Sequence, residues 1–207
     1  MTPEEFLSNY DPDITCSTAM DRYEYFRQFY DINRDDYALL TERLQAKSFK
    51  KGDTIVAPGQ IQRELYFINE GVQISHFEGR SNMQVMAFTY PPYLCAVPGS
   101  FALQQPSKYS VTCLTHTKAD SVTYEQLQEV FDKSPAIERL FRKMTEALLA
   151  GVIDRHRELH SMTIEERYRA FCRRSPHLLQ SVPHKHIASY LGIDATNFSK
   201  LYNRVKI

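Results

Sequence analysis

A chain of 207 residues with 25 Lys/Arg set against 25 Asp/Glu has room for one sizeable core, or for a medium domain and a small one. Its apolar and charged fractions are those of a globular protein in water, and it holds no apolar run of about eighteen residues, which excludes a membrane-spanning helix. The neutrality hides an asymmetry: from Thr163 onward eight Lys/Arg face three Asp/Glu, a net of +5 that leaves −5 on the preceding 162 residues. Cationic charge gathered at one end suggests a local contact with a polyanion.

The chain opens on "MTPEEFLSNYDPDITC", which is acidic and lacks the basic flank and apolar stretch of a signal peptide, so a cytoplasmic location is expected. Residues 20–46 read as helix. "DRYEYFRQFY" carries apolar residues at helical spacing, and "RDDYALLTERLQ" follows with Asp35 as its expected N-cap. From Phe49 the texture changes. "SFKKGDTIVAPGQIQRELYFINEGVQISHFEG" is a series of short β-branched and aromatic runs cut by Gly- and Pro-containing turns. "MQVMAFTY", "YSVTCLTHT" and "ADSVTY" supply three more strands. A β-domain of seven or eight strands over residues 48–124 follows, of sandwich or barrel type.

Helix returns at Tyr124. "YEQLQEVFDKSP" is one short helix, and after Pro135 "AIERLFRKMTEALLAGVIDRHRELHSM" runs as one long helix with no internal proline. Ile137, Leu140, Phe141, Met144, Ala147, Leu148, Gly151 and Val152 form an apolar stripe along it. So narrow a stripe on so long a helix needs a partner: the β-domain, a second copy of the chain, or both. Thr163 and Glu166 have the spacing of a capping box that opens a helix through Arg174. Ser175-Pro176 ends that helix, and Pro183 opens another, "HKHIASYLG". Gly192 then turns the chain, and Asp194 caps a last helix, "ATNFSKLYNRV".

That last pair has the spacing of a helix-turn-helix. Such a unit needs a small residue inside its first helix, Gly four positions on where the turn requires φ > 0, and an apolar plug six further on. Ala188, Gly192 and Phe198 meet this, with Ile187, Leu191, Ile193 and Leu201 completing the buried face. Left outward with Ala195 are Thr196, Asn197, Ser199, Lys200, Asn203 and Arg204. Short hydroxyl and amide side chains near a helix N-terminus suit base edges, and Lys200 and Arg204 suit phosphate or guanine.

In its order of parts the chain resembles the Crp/Fnr family of bacterial transcription regulators, from about residue 24 to the end. The marks are "FKKGDTIVAPGQ" and "ELYFINEGVQI" in the β-roll, "PSKYSV" before a late strand, and "IASYLGIDATNFSKLYNRV" at the end. The chain resembles the short Bacteroidetes-type members, which share the "IASYLGI" run. The resemblance implies an α+β architecture in three parts. N-terminal helices and a jelly-roll-like sensor β-roll occupy 1–133, a long dimerisation helix 134–162, and a helix-turn-helix domain 163–207. It further implies a homodimer on an inverted-repeat site in double-stranded DNA, with an effector position in the roll at Ala96, Val97, Ser107, Lys108 and Tyr109 that takes an unidentified small molecule or none.

The departures from the family pattern shape what is expected of that effector. Members that bind cyclic AMP carry a Gly-Glu pair for the ribose and an Arg for the phosphate, and these positions fall on Ala96, Val97 and Ser107. A buried phosphate would lack its bidentate cation, so cyclic AMP in the usual mode is not expected. Cys16, Cys95, Cys113 and Cys172 form no cluster for iron–sulfur chemistry, and they read as small buried side chains. A wing after the last helix is not expected, and Ala195 stands where relatives often place an Arg.

The β-region's two histidines, His76 and His116, are too far apart for a cupin metal site. His156 and His160, like His184 and His186, have zinc-compatible spacing but no evident third ligand, so they read as solvated helix residues. No metal or other cofactor is expected. No phosphate loop, nucleophile elbow or carboxylate pair is present, so an enzyme is not expected either. The competing reading is a module of the same fold that binds an effector or another protein and has lost DNA binding.

Overall fold

The computed structural model describes residues 21–79 and 82–205, so the readings on the N-terminal stretch, Cys16 and the absence of a wing lie outside the described residues. The chain divides into two compact units, one ending at Met144 and the other beginning at Thr145.

In the first unit, α1 (Arg22–Arg27) starts at Asp21, whose carboxylate accepts the Tyr23 N–H at 3.1 Å. The next helix, α2 (Arg34–Thr41), is capped by Asn33 and not by Asp35: the Asn33 Oδ1 accepts the Asp36 N–H at 2.7 Å. Asp35 sits instead in the first turn, where a carboxylate favours the helix dipole. Helix stops at Thr41, because Gln45–Phe49 forms strand β1, five residues paired antiparallel to a late strand. A long-range ladder there overrides the helical propensity of "ERLQ".

The strands continue as β2 (Thr54–Val56), β3 (Glu64–Glu70), β4 (Gln73–Glu78), β5 (Met83–Thr89) and β6 (Leu94–Cys95). After a short helix, α3 (Pro98–Phe101), come β7 (Ser110–Cys113) and β8 (Thr117–Thr123). They form two four-stranded sheets, ordered β1-β8-β3-β6 and β2-β7-β4-β5, with every pairing antiparallel. The apolar run "LYFI" in β3 follows from burial on both faces. Tyr66 and Ile68 pack between the sheets with Val56, Cys95, Val97, Val111 and Ala119. Leu65 and Phe67 face a second core with Phe26, Leu40, Val122, Leu127 and Val130. One tight place is Gly71, at φ 97°, where a Cβ would lie 2.3 Å from the His116 carbonyl oxygen.

Helix α4 (Tyr124–Lys133) opens on a capping box between Thr123 and Gln126. Helix α5 (Pro135–Ser161) follows as a continuous stretch of 27 residues. Its first turns correct the expected dimer stripe. Ile137 and Leu140 are completely buried in the core of their own unit, and Phe141 and Met144 are half-buried against it. Apolar spacing marked the right face but not its partner, and in these turns the partner is the same chain. Leu148 and Val152, farther along, are more than half exposed, and Gly151 is exposed too.

The second unit holds the rest of α5, then α6 (Ile164–Arg174), α7 (Leu178–Ser181), α8 (His184–Leu191) and α9 (Ala195–Arg204). The Thr163–Glu166 capping box forms as spaced. The single turn α7 was not expected. It is anchored by Leu178, which is buried. Tyr168, Phe171, Ile187, Leu191, Phe198 and Leu201 are buried in this unit, with the rings of Tyr168 and Phe198 5.6 Å apart, edge to face.

Candidate functional site

Helices α8 and α9 meet across a three-residue turn. Gly192 ends α8 at φ 62°, ψ 40°, the left-handed conformation that glycine adopts without penalty. The Ile193 N–H returns to the Ala188 carbonyl at 3.0 Å, closing the turn. Ala188 and Phe198 are both buried, as a small residue under a crossing helix and its apolar plug should be. Asp194 then starts α9, its Oδ1 accepting the Asn197 N–H at 2.9 Å. That amide, foremost among several donors, holds the Asp194 carboxyl below the usual carboxylate range.

The outward face of α9 carries Thr196, Ser199, Lys200, Asn203 and Arg204, all exposed. Two of the expected DNA contacts have partners within the chain. Asn197 is only half-exposed, and its side-chain amide donates to Asp194, so it serves the cap. Arg204 is ion-paired to Glu165, which also takes Arg169 at 2.9 Å. Tyr202 was missed. It is exposed one turn beyond Ser199, with its ring 4.3 Å from that of His184. The i, i+3 spacing from Ser199 was the available signal.

The rest of α5 is tied to this module through Glu158. The Arg174 guanidinium donates to both carboxylate oxygens, at 2.8 and 3.3 Å, and Arg155 donates to Oε2 at 3.0 Å. Arg155 also donates to the Tyr190 carbonyl and lies 4.2 Å from the centre of its ring. Burial pushes the Glu158 carboxyl up, but the bonds and charges of Arg174 and Arg155 outweigh it, and the net direction is down.

Solved structures share this fold. The c-di-GMP-responsive global regulator CLP of Xanthomonas campestris is 13% identical, with a TM-score of 0.61 over 83% of this chain and 91% of its own. FixK2 of Bradyrhizobium japonicum is 15% identical, with a TM-score of 0.64 over 78% and 83%. A mutant of CooA from Carboxydothermus hydrogenoformans is 14% identical, with a TM-score of 0.63 over 90% and 84%. The fold is that of the Crp/Fnr-type regulators. No protein-family model matches the chain, and no curated protein matches it in sequence.

Within this Crp/Fnr-type fold, the five residues expected at the effector position have different surroundings. Val97 is buried between the sheets, and Ala96 packs against the helix-facing core. The Ser107 hydroxyl turns back on its own loop, donating to the Tyr109 carbonyl at 2.7 Å and accepting the Tyr109 N–H at 3.0 Å. Lys108 is exposed, and Tyr109 packs its ring 6.2 Å from that of Phe77. The residue that sequence reasoning missed is Gln62. It is buried, its Oε1 accepts the Val97 N–H at 2.8 Å, and its Nε2 donates to the Glu64 and Cys95 carbonyls at 2.8 and 3.4 Å. Its own N–H donates to the Ser100 hydroxyl at 2.9 Å. A cleft of about 120 Å³ opens beside it, lined by Ile55, Val56, Gln60 and Tyr66 among others. That is small against the ~300–1,000 Å³ of ordinary small-molecule sites.

Cys95, Cys113 and Cys172 are free thiols and buried. Burial pushes the Cys95 thiol up to about 12, which leaves it protonated and inert. His76 bonds the Thr112 hydroxyl at 3.0 Å, and burial pushes its ring down. Among the described residues no three His, Cys, Asp or Glu side chains gather to hold a metal ion, and no helix is long and apolar enough to cross a membrane.

Proposed function

We propose that the protein is a sequence-specific DNA-binding transcription regulator that acts as a homodimer. The observation that carries this reading is the α8–α9 unit. Its turn, plug and cap have helix-turn-helix geometry, and its second helix holds hydroxyl, amide and cationic side chains out to solvent. The exposed end of the α5 stripe supports the dimer. Leu148, Leu149, Val152 and Ile153 are each more than half exposed, and burying such side chains against a second copy favours association by about 1 kcal/mol apiece. The interface is therefore assigned to residues 148–153, not to the whole span from Ile137. A two-fold pair would offer two copies of α9 to successive major grooves, roughly 34 Å apart on an inverted repeat.

An effector, if the roll takes one, is not cyclic AMP in the usual mode. Val97 and Ser107 stand where a ribose carboxylate and a phosphate guanidinium would be needed, and both are engaged within the chain. The reading is tested by mobility shift on genomic fragments at two salt concentrations, comparing the parent with Lys200→Glu. Parent binding should fall steeply with salt, and the variant should bind roughly tenfold or more weakly with an unchanged fold, because the charge is reversed at an exposed position. A variant that bound like the parent would remove α9 as the reading helix. Binding insensitive to salt would favour the protein- or effector-binding alternative.

A further inference from the structure

The exposed side of α5 does not end in apolar residues. Beyond Leu149, Val152 and Ile153, the next side chains on that side are His156 and His160, both exposed. Their ring centroids lie 4.4 Å apart, with planes inclined at 54°. At 3.6 residues per turn, positions 149, 152, 153, 156 and 160 fall within an arc of roughly 100°, while Glu158 lies about 200° round from His156. Glu158 is the residue held by Arg174 of the helix-turn-helix module. One side of this part of α5 is thus engaged with its own chain, and the opposite side presents two imidazoles one turn apart.

We propose that His156 and His160 are half of a site for a divalent transition metal of the zinc class, completed by the same two residues of a second copy. The inference rests on the dimer reading above. Two imidazoles at i and i+4 can share one cation, but a closed tetrahedral site needs four ligands at about 2.0–2.1 Å. The described residues of one chain supply no third. Two-fold pairing along the 148–153 face supplies the rest. In parallel helices related by a two-fold axis, a stripe position meets its own equivalent, so the pair below Ile153 faces an identical pair. Four neutral imidazoles select zinc, copper or nickel over magnesium or calcium, which prefer oxygen. The nearest charges on α5 are already matched: Arg157 lies 3.5 Å from Asp154, and Arg155 lies 3.0 Å from Glu158. A bound cation would fix the separation of the two helices at the end of α5 that carries the DNA-reading modules.

The test uses the full chain, stripped with a chelator and titrated with zinc ion alone, followed by calorimetry and sedimentation equilibrium. Alongside it runs the double variant His156→Ala/His160→Ala, whose exposed positions accept alanine without loss of helix. The parent should bind one zinc per two chains and tighten its dimer about tenfold or more. The double variant should do neither. Zinc bound at one per chain with unchanged association, or a double variant indistinguishable from the parent, overturns the site. A parent that dimerises through residues 148–153 yet ignores zinc overturns the metal site alone. A parent that stays monomeric with and without zinc overturns the dimer reading as well.

Discussion

Glu158→Ala isolates what holds the helix-turn-helix module to the end of α5. The side chain of Glu158 is 9% exposed, and it lies 2.8 Å from Arg174 and 3.0 Å from Arg155. Truncation leaves two guanidinium groups without their counter-charge. Orphaning a buried charge costs about 3–5 kcal/mol. Arg174, however, is 35% exposed and can take up water, whereas Arg155 at 15% is less able to. The discounted figure is about 2 kcal/mol. A unit of about 60 residues has a total stability of only roughly 3–9 kcal/mol, and a loss of this size lowers its melting temperature by roughly 8–16 °C. Calorimetry of the full chain, with hydrogen exchange of the α6 and α8 amides, measures it. Glu158→Gln, which keeps shape and one acceptor, should lose less.

The sign with pH follows from the direction of the shift. A carboxyl held below its ordinary value contributes stability that is present above about pH 4.3 and is lost as pH falls through the folded-state value. The gap between parent and variant should therefore close in acid. Unchanged exchange protection in α8 at neutral pH would refute the reasoning.

Four further outcomes are expected. Gly71→Ala should cost more than Gly192→Ala, by about 1–3 kcal/mol in urea unfolding. A Cβ at Gly71 meets a backbone oxygen at 2.3 Å, whereas at Gly192 it meets only the flexible Leu159 side chain at 3.6 Å. Val152→Glu should weaken self-association in sedimentation while leaving the melting temperature of the first unit unchanged. Ile137→Ala, being buried, should lower that unit's stability by about 2–5 kcal/mol. His76 and His177 are both pushed down by burial, so the unfolded chain takes protons first. Stability should decline as pH falls below about 6.5 toward the folded-state values, and urea midpoints at neutral and mildly acid pH should show it.

The parts of this protein legible in its sequence are those set by local chemistry. Gly192 needs a left-handed turn, Asp194 and Thr163 offer oxygens to orphan amides, and each can be read within a few residues. The alternation of Leu65 and Phe67 against Tyr66 and Ile68 likewise marks a strand buried on both faces. What was hidden depends on partners distant in sequence. The stripe on α5 shows an apolar face, yet nothing local says that Ile137 meets the β-domain core while Val152 meets solvent. Glu158 and Arg174 lie 16 positions apart on different helices, and Gln62 reaches a segment 35 residues on. Thr196, Ser199, Lys200 and Asn203 of α9 are exposed, as helical phase expects. The phase could not show that Asn197 serves its own cap or that Glu165 reaches Arg204.

The bonds of Gln62 have a thermodynamic consequence for the β-roll. Its side-chain amide joins the carbonyls of Glu64 and Cys95 to the Val97 N–H, and its backbone N–H holds the Ser100 hydroxyl, which together order the approach to α3. A side chain that satisfies several buried polar groups at once is costly to displace, so this wall resists opening.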